Sequence, residues 1–360
     1  MKIVFLLSSL SSGGAERTVS YLSSYLAKKG DDVTILLFEN EVFYTLHPDV
    51  KVESLDIKGT YKTIFGKYTN IAKRFIKTNN YLKKAKPDVV FCMLPYFAKY
   101  ILNSHKKYGY KLITSERINP ESSSESTRNL KISIFKESDG VIFQTIRAKE
   151  FYLDYIGDKG VVIHNAVGND RVYSIEPAKE RKEKISAMGR LAPQKDYPTL
   201  IKAFRNVCEK YPQYTLEIFG KGPDKDKLIS LCETLGIKDK VIFKGSCEDA
   251  IERIADSKVY VMSSLFEGMP NALMEAMAVG LPCVSTDCPN GPKELITDGE
   301  NGLLVPLSDV EKMTEAILKF IEDEELSLKC SQGAREILKT HHIDVKAKEF
   351  ADYIESVYNE

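Results

Sequence analysis

Short apolar, β-rich runs alternate along the chain with longer stretches in which apolar residues recur at helical spacing. In the first half the runs predict strands at residues 2–7, 32–38, 88–93, 111–114, 140–143 and 160–163. In the second half they predict strands at residues 184–188, 215–219, 240–243, 258–262, 282–285 and 302–305. Because strands that alternate with helices form parallel sheets with covering helices, two α/β sheets are predicted.

A polar, charged stretch that contains Pro177 separates the two series and is typical of a linker. We therefore predict a first domain, a linker, a second domain and a final helix, at residues 1–168, 169–183, 184–341 and 342–360. The charged and glycine residues of interest follow the predicted strands, and the carboxyl ends of parallel strands are where such sheets bind ligands. The pattern indicates an active site built on these strand ends.

Composition narrows the class of protein. The chain has 360 residues, 43% of them hydrophobic, and this is enough for two separate cores. Seven cysteines without a C-x-x-C pair predict neither a disulfide framework nor zinc spacing, and they favour a reducing cytoplasm. No window approaches about 18 consecutive apolar residues, so no membrane span is predicted. The pattern G-x-G-x-x-G is missing, which argues against a nicotinamide enzyme.

One segment carries most of the candidate chemistry, residues 263–282. Pro270 suits the first position of a helix, which leaves Glu267 in the preceding loop and Glu275 in the second turn. The open amides at the start of this helix favour an anion such as a diphosphate, and Glu275, roughly 7 Å further along, could accept ribose hydroxyls. Glu267, in the loop, is then the candidate for contact with a sugar. The predicted donor-binding residues of this segment are Gly268, Met269, Pro270, Asn271, Ala272, Leu273 and Glu275. The alternative is an ordinary strand–loop–helix unit with two solvated glutamates.

The spacing E-x7-E, inside E-G-x-P-x-x-x-x-E-A-M-A-x-G-x-P, resembles the signature of family 4 retaining glycosyltransferases. The resemblance implies the GT-B fold, in which two Rossmann-like domains face a central cleft and the last helix crosses back to the first domain. It also implies that the first domain binds the acceptor and the second binds a nucleotide sugar. No nucleophile is obvious for a double displacement, so the resemblance implies front-face attack, with Glu267 stabilising an oxocarbenium-like centre without forming a bond.

Arg190 and Lys195 match the basic pair with which this family holds the donor diphosphate. Such cations neutralise the charge that grows on the leaving group, and two of them can replace a metal ion. We therefore predict no metal and no cofactor beyond the nucleotide sugar. The only D-x-D triplet begins at Asp224 and is interpreted as the first turn of a helix, where acids suit the dipole. The alternative is that Lys195 is an ordinary surface lysine.

Glycine loops form a second group of candidates. Gly13 and Gly14 lie in a G-G-A-E-R sequence similar to the family's loop near donor and acceptor. Gly220, Gly222 and Ser246 resemble residues of the loops around the nucleobase and phosphates. Glycines after strands are also common for purely structural reasons, and that alternative stays open for each.

Arg117 follows the predicted strand 111–114, where several relatives place a histidine beside the transferred sugar. The role of that histidine is therefore not carried over to Arg117. Arg117 could bind donor phosphate, bind acceptor phosphate, or pair with Glu116, and phosphate contact ranks first. Asn165 matches the family's asparagine at the hinge.

The segment from Lys58 to Lys111 contains a single acid, Asp88, among many lysines. Within it, residues 63–85 have the spacing of a basic amphipathic helix, and the candidate acceptor or membrane contacts are Lys67, Lys73, Arg74 and Lys77. One interpretation is a solvated charged face. The other is a surface for anionic lipid or a lipid-linked diphosphate, which we favour because ordinary solvated helices mix charges of both signs. No nucleic-acid motif is present.

These observations predict a retaining transferase that moves a hexose or N-acetylhexosamine from a nucleotide diphosphate sugar to a glycan. The family favours UDP as the nucleotide, and the acceptor is predicted to be linked to polyprenyl diphosphate. The expected setting is the synthesis of bacterial cell-surface polysaccharide or glycoprotein glycan, with the enzyme on the cytoplasmic face of the membrane. The alternatives are a non-catalytic donor-binding subunit and an epimerase or hydrolase of nucleotide sugars.

Overall fold

The computed structural model describes residues 1–57, 64–168 and 170–360, except for the side chains of residues 64, 65, 67 and 170. The chain forms two compact units. The first unit comprises Met1–Gly168 together with Ile343–Glu360, and the second comprises Asn169–His342. Each unit is described by itself below.

The first unit is built on a seven-stranded sheet in which every pairing is parallel. Its strands are β1 (Lys2–Leu7), β2 (Asp32–Leu37), β3 (Lys51–Ser54), β4 (Val89–Cys92), β5 (Lys111–Glu116), β6 (Gly140–Phe143) and β7 (Gly160–Val162). The spatial order is β3-β2-β1-β4-β5-β6-β7. Strands β1 and β4 are buried on both faces, as their continuous apolar runs require.

Helices cover both faces of this sheet. They are α1 (Gly14–Lys28), α2 (Ile64–Ala85), α3 (Leu102–Tyr108), α4 (Glu125–Glu137) and α5 (Ile146–Ile156), with 3-10 segments at Pro95–Tyr100 and Pro120–Ser122. Serine and threonine start two of the helices: Ser124 Oγ accepts from the Thr127 amide, and Thr145 Oγ1 accepts from the Ala148 amide.

The second unit has a six-stranded parallel sheet in the order β10-β9-β8-β11-β12-β13. Its strands are β8 (Lys182–Met188), β9 (Thr215–Phe219), β10 (Val241–Gly245), β11 (Ser257–Met262), β12 (Cys283–Thr286) and β13 (Leu303–Val305). The helices are α6 (Tyr197–Lys210), α7 (Lys225–Thr234), α8 (Ala250–Ile254), α9 (Asn271–Ala278), α10 (Pro292–Leu295), α11 (Val310–Glu322), α12 (Glu324–Arg335) and α13 (Ile337–Thr340). Three 3-10 segments lie at Asp170–Ser174, Pro193–Lys195 and Lys238–Lys240.

The last helix, α14 (Ile343–Asn359), belongs to the first unit and packs against α1. Its buried Phe350, Ile354 and Val357 join the same apolar core as Leu22 and Leu26 of α1. Burial of this apolar stripe stabilises the position of the helix, because the opposite side of α14 is polar and exposed.

The prediction of two parallel α/β sheets is confirmed, and three local predictions need correction. Strand β3 was missed because Lys51, Val52 and Glu53 are exposed and give no apolar run. Pro270 is the residue before α9 and not its first residue. Helix α7 begins at Lys225, so Lys225 and Asp226 lie in the first turn as predicted, whereas Asp224 is the residue before the helix and its side chain makes no capping bond. In the described residues, no helix is both long and apolar enough to cross a bilayer.

Each sheet reverses its strand order at a central strand, β1 in the first unit and β8 in the second. Ligands of open α/β sheets bind at the carboxyl ends of the strands beside such a reversal. Gly13 follows β1, while Arg190 and Glu267 follow the neighbouring strands β8 and β11. The fold thus brings the principal candidates to these two positions.

Candidate functional site

The central feature of the second unit is an ion pair between Lys195 and Glu267. The Lys195 ammonium lies 2.5 Å from Glu267 Oε1, and the glutamate side chain is only 9% exposed. The two come from the loops after β8 and β11, which are themselves joined by hydrogen bonds. The side-chain amide of Gln194 donates to the Phe266 carbonyl at 2.9 Å, and the backbone carbonyl of Gln194 accepts from the Leu265 amide at 2.8 Å. The carboxylate is therefore held in a fixed place by its surroundings.

A loop after β12 forms a wall beside Glu267. The Glu267 amide donates to the Pro289 carbonyl at 3.3 Å. Gly291 has a φ of 89°, and a Cβ there would lie 2.4 Å from the Gly268 carbonyl oxygen, so only glycine allows this contact. Burial, reinforced by the Glu267 charge, raises the pKa of the Cys288 thiol to about 12. This wall was not predicted from the sequence, although the P-N-G-P stretch at residues 289–292 is a turn signal.

Helix α9 places Glu275 in its second turn, as predicted, with a half-buried side chain. Burial raises the pKa of Tyr260, and the charge of Glu275 adds to this shift after the contributions of other neighbouring groups. The expectation of three open amides is wrong for Leu273. That amide donates to the Pro270 carbonyl at 3.1 Å, because the helix starts with a tight i→i−3 turn.

Backbone contacts between glycines join the ends of β8, β9 and β10. The Gly220 amide donates to the Gly245 carbonyl at 2.7 Å, and a Cβ on Gly220 would lie 1.9 Å from the Gly189 carbonyl oxygen. A Cβ on Gly222 would lie 2.1 Å from the Leu191 carbonyl oxygen. Both predicted glycines thus have a structural reason to be glycine, and their contact with a nucleotide stays a prediction. Ser246 is exposed next to Gly245.

Two side chains flank this backbone cluster differently. Arg190 is exposed and, within the described part of the chain, has no carboxylate partner in a salt bridge. Tyr197 is buried, and its hydroxyl donates to the Gly189 carbonyl at 3.1 Å. Burial and the nearby Glu267 charge raise the pKa of Tyr197. Arg190, which was predicted to bind the diphosphate, is thus solvent-accessible, whereas Tyr197, which bonds to the neighbouring Gly189, is buried.

In the first unit, Arg117 is a buried residue just beyond β5. One guanidinium nitrogen, Nη2, donates to Thr18 Oγ1 at 3.1 Å and also to Asn165 Oδ1. The other, Nη1, is buried with no hydrogen-bond partner among the described residues. Burial lowers the pKa of Arg117 to about 10, although Tyr21 and Glu116 oppose the shift. The guanidinium therefore keeps one unused donor group next to the predicted hinge asparagine.

Glu116 does not use its carboxylate to bind the Arg117 side chain. Lys131 Nζ donates to both carboxylate oxygens, at 2.8 and 2.9 Å, and the Tyr152 hydroxyl donates to Oε2 at 2.8 Å. All three side chains are buried. Burial and the Glu116 charge raise the pKa of Tyr152. Glu116 thus pairs with Lys131 and Tyr152 and not with the Arg117 side chain. This buried cluster was not predicted from the sequence.

The loop after β1 is fixed by its neighbours. Tyr44 donates its hydroxyl to the Gly13 carbonyl at 3.0 Å. A Cβ on Gly13 would lie 2.1 Å from Glu16 Oε2, so the Glu16 carboxylate folds back closely over this glycine. Gly14 is the first residue of α1. The G-G-A-E-R sequence therefore forms a tight strand-to-helix turn with a carboxylate at its surface.

Helix α2 turns a mixed basic and apolar face outward. Its inner side buries Thr78 and Leu82, and Arg74 stacks on Phe38 at 4.5 Å from the ring centre. The outward apolar residues are Tyr68, Ile71, Phe75 and Ile76, which line a groove of about 490 Å³ with Ala72, Lys99 and Tyr100. Lys73 and Lys77 are exposed, and the side chain of Lys67 lies outside the described residues. Arg74 is thus partly committed to packing.

Comparison with known proteins identifies the chain. Residues 171–337 match the model "Glycosyl transferases group 1", and residues 12–171 match "Glycosyltransferase Family 4". An uncharacterized glycosyltransferase of Methanocaldococcus jannaschii is 30% identical over 339 residues, covering 79% of this chain and 83% of that protein. The chain belongs to glycosyltransferase family 4. The enzyme thus matches this family through both of its units.

Two further relatives are similar over nearly their whole length. The lipopolysaccharide core biosynthesis glycosyltransferase LpsE of Rhizobium meliloti is 28% identical, with 91% of each chain covered. A Campylobacter jejuni α-1,4-N-acetyl-D-galactosaminyltransferase, named for an undecaprenol-diphosphate-linked acceptor, is 27% identical, covering 100% of this chain and 99% of that one. Among solved structures, HepE of Anabaena with UDP and glucose has a TM-score of 0.80 at 19% identity, covering 99% and 100% of the two chains. This likeness shows that the glycosyltransferase has the GT-B fold.

No group of three or more histidine, cysteine, aspartate or glutamate side chains in residues 1–57, 64–168 and 170–360 of this glycosyltransferase has the geometry to hold a metal ion. Asp224, the start of the D-x-D triplet, accepts a bond from Lys227 at 3.1 Å.

The glycosyltransferase offers a matched pair of glycines for a test of the β8–β10 contacts. Gly220→Ala is expected to lower the free energy of unfolding by about 1–3 kcal/mol more than Gly236→Ala, because its Cβ would overlap the Gly189 carbonyl. Gly236 has a φ of 68° and no atom within 4 Å of its Cβ position, so it reports a backbone cost without overlap, whereas Gly220, at a φ of 146°, carries both a backbone cost and the overlap. Urea unfolding monitored by circular dichroism measures both. Equal losses would contradict the proposed steric cause.

Proposed function

We propose that this enzyme transfers a hexose or N-acetylhexosamine, with retention of configuration, from a UDP-sugar to a glycan carried on polyprenyl diphosphate. The observation that carries the proposal is the Lys195–Glu267 ion pair beside the start of α9, with Glu275 in the second turn of that helix. A sugar diphosphate needs cations for its leaving group, a carboxylate for its ring and an acceptor for its ribose hydroxyls. These residues supply each of them.

The reaction follows from the charges of these groups. As the bond between the anomeric carbon and the diphosphate oxygen breaks, Arg190 and Lys195 would neutralise the growing negative charge. The acceptor hydroxyl forms its bond on the same face and gives its proton to a diphosphate oxygen. Glu267 is held against Lys195 by fixed loops, and its charge would stabilise the positive anomeric centre without a covalent bond. Arg117 would use its unpartnered Nη1 to bind a phosphate oxygen.

The identities of donor and acceptor rest on the relatives. HepE of Anabaena is described in complex with UDP and glucose, and the Campylobacter relative with a diphospho-undecaprenol acceptor. Gly220, Gly222 and Ser246 of the second unit would approach the donor, together with the start of α9. The predicted donor and acceptor are therefore both diphosphates. This fits the cations that follow the strands, Arg117 in the first unit and Arg190 and Lys195 in the second.

Helix α2 supports a role at an anionic membrane surface on the cytoplasmic side. Tyr68, Ile71, Phe75 and Ile76 are exposed next to Lys73 and Lys77, and an outward face that combines apolar and basic residues is typical of interfacial helices. Such a face would bring the enzyme to the lipid that carries its acceptor. The lysine-rich sequence of residues 58–111, which includes α2, is also positively charged.

Binding to vesicles tests the membrane surface. Lys73→Gln with Lys77→Gln is expected to weaken binding to phosphatidylglycerol vesicles about 30-fold at low salt, at about 1 kcal/mol for each lysine. Ile76→Ser is expected to weaken it on the order of fivefold through lost apolar burial. The matched controls are Lys225→Gln with Lys227→Gln, and Leu328→Ser, which are exposed residues of the second unit. Equal effects of the two sets in a sedimentation assay would count against α2 as the membrane face.

Release of nucleoside diphosphate tests the function itself. Purified enzyme is incubated with UDP- and GDP-sugars, with and without a polyprenyl-diphosphate glycan, in EDTA. The proposal expects release that needs one donor and the lipid-linked glycan and persists in EDTA, with a product whose new linkage is α from an α-linked donor. Release without acceptor would indicate a hydrolase, interconversion of the sugar an epimerase, and donor binding without turnover a silent subunit.

A further inference from the structure

Exposed apolar side chains follow several neighbouring strands of the first unit at their carboxyl ends. Phe43 follows β2, Tyr96 follows β4, Ile118 follows β5 and Ile146 follows β6. Their side chains are 68%, 40%, 50% and 52% exposed. Because ligands of open α/β sheets bind at the carboxyl ends of the strands, large apolar residues exposed along this edge make it a candidate binding surface. We call these four residues the rim.

The aromatic end of the rim is held in place by the backbone. The Phe43 amide donates to the Leu10 carbonyl, and the Leu10 amide donates to the Glu41 carbonyl, each at 2.9 Å. The Phe43 ring packs edge-on against Tyr44, which is itself bonded to Gly13. Phe43 is therefore presented on an ordered segment directly beside the loop after β1.

The charges around this aromatic end are acidic. Glu16 folds back over Gly13, and Glu41 is exposed next to Val42. Burial and the charges of Glu16 and Glu116 raise the pKa of Tyr96, so the Tyr96 hydroxyl lies in the same negative field. An anionic lipid surface is repelled by such a field, whereas the hydroxyl groups of a neutral sugar donate readily to carboxylates. The rim thus differs in sign from the basic face of α2.

We propose that the rim binds the glycan part of the acceptor, with sugar rings stacked on Phe43 and Tyr96 and their hydroxyls donating to Glu16. The C–H groups on one face of a pyranose carry positive partial charge and suit the negative face of an aromatic ring. Two strand spacings separate β2 from β4 through β1, about 10 Å in all, which leaves room for consecutive sugar units between the two rings. Ile118 and Ile146 continue the surface along the sheet edge. This inference rests on the proposed function in that the acceptor is a glycan.

The absence of tryptophan from the sequence provides a direct test. Phe43→Trp creates a single tryptophan at the rim, whose emission can be followed without donor or turnover. The probes are maltotriose, triacetylchitotriose and an α-1,4-linked N-acetylgalactosamine trisaccharide, with farnesyl phosphate as the apolar anion. We expect a saturable change in emission with at least one trisaccharide. Glu16→Gln in the same background is expected to weaken binding at least threefold.

Tyr358→Trp is the matched control, since Tyr358 is 41% exposed on α14 of the same unit. It should not respond to any trisaccharide. The proposal is overturned if Phe43→Trp responds to none of them up to 10-millimolar order, if both variants respond alike, or if only farnesyl phosphate binds. Circular dichroism of each variant verifies that the fold is retained.

A kinetic arm separates this inference from the proposed function. Where transfer is found, Phe43→Ala is expected to raise the acceptor KM about tenfold while leaving the donor KM unchanged, because it removes uniform binding of the acceptor. An unchanged acceptor KM overturns the rim and leaves the transferase proposal intact. The fluorescence titration contains no donor, so its result stands whatever the transfer assay gives.

Discussion

Glu267→Gln is expected to lower kcat about 10²- to 10³-fold while the donor KM changes little. Glutamine keeps the size and hydrogen-bonding capacity of the side chain but removes its charge. The lost charge is the one that would face the positive anomeric centre, and it lies 2.5 Å from the Lys195 ammonium. Initial rates of nucleoside diphosphate release against donor concentration give both constants.

Glu322→Gln is the matched control, because Glu322 forms a similar 2.6 Å pair with Lys210 on the exposed surface of the same unit. It should retain full activity. A Glu267→Gln enzyme that keeps more than about a tenth of the wild-type kcat would contradict an electrostatic role for this carboxylate. Azide added to Glu267→Ala gives a further distinction. Formation of a glycosyl azide would indicate that Glu267 is a nucleophile, in conflict with front-face attack.

Lys131→Met is expected to destabilise the first unit by about 3–5 kcal/mol, because it leaves the buried Glu116 carboxylate without its cation. Both carboxylate oxygens accept from Lys131, and Glu116 and Lys131 are only 1% and 2% exposed. Methionine fills a similar volume, so the loss reports the uncompensated charge more than a cavity. Calorimetry of the variant and the wild type, compared for the transition of this unit, measures the change.

The double variant Glu116→Gln/Lys131→Met removes both charges together. It should recover most of the lost stability, since no buried charge remains. Lys106→Met serves as the surface control, because the Lys106–Glu137 pair is exposed and its loss should leave the transition unchanged. If the double variant is no more stable than Lys131→Met, packing and not charge would explain the effect.

The sequence predicted the parts of the fold that depend on local pattern. Buried strands such as β1 and β11 read as apolar runs, and the residue types between β11 and α9 correctly indicated a loop followed by a helix. The edge strand β3 was missed because an exposed strand pairs on one side only and needs no apolar run. Helix boundaries shifted by a residue or two where turn geometry decided them.

Contacts between distant segments were beyond reach of the pattern. Lys131 looks like a solvated lysine in the sequence, and its burial depends on Glu116 and Tyr152 arriving from other elements. On α2, the apolar residues Ile71 and Phe75 face outward while Arg74 turns in to stack on Phe38. Periodicity identifies that a helix has two faces, but the partners available in three dimensions decide which one is covered.

The glycine contacts at the ends of β8, β9 and β10 also bear on how the protein can diversify. There, carbonyl oxygens occupy the space that any Cβ at Gly220 or Gly222 would need, so a substitution would overlap the backbone. The segment that carries Phe43 has no such restriction, because its ring projects into solvent from a backbone held by main-chain bonds. We expect lineages descended from this enzyme to vary in the glycan they extend far sooner than in the nucleotide they consume.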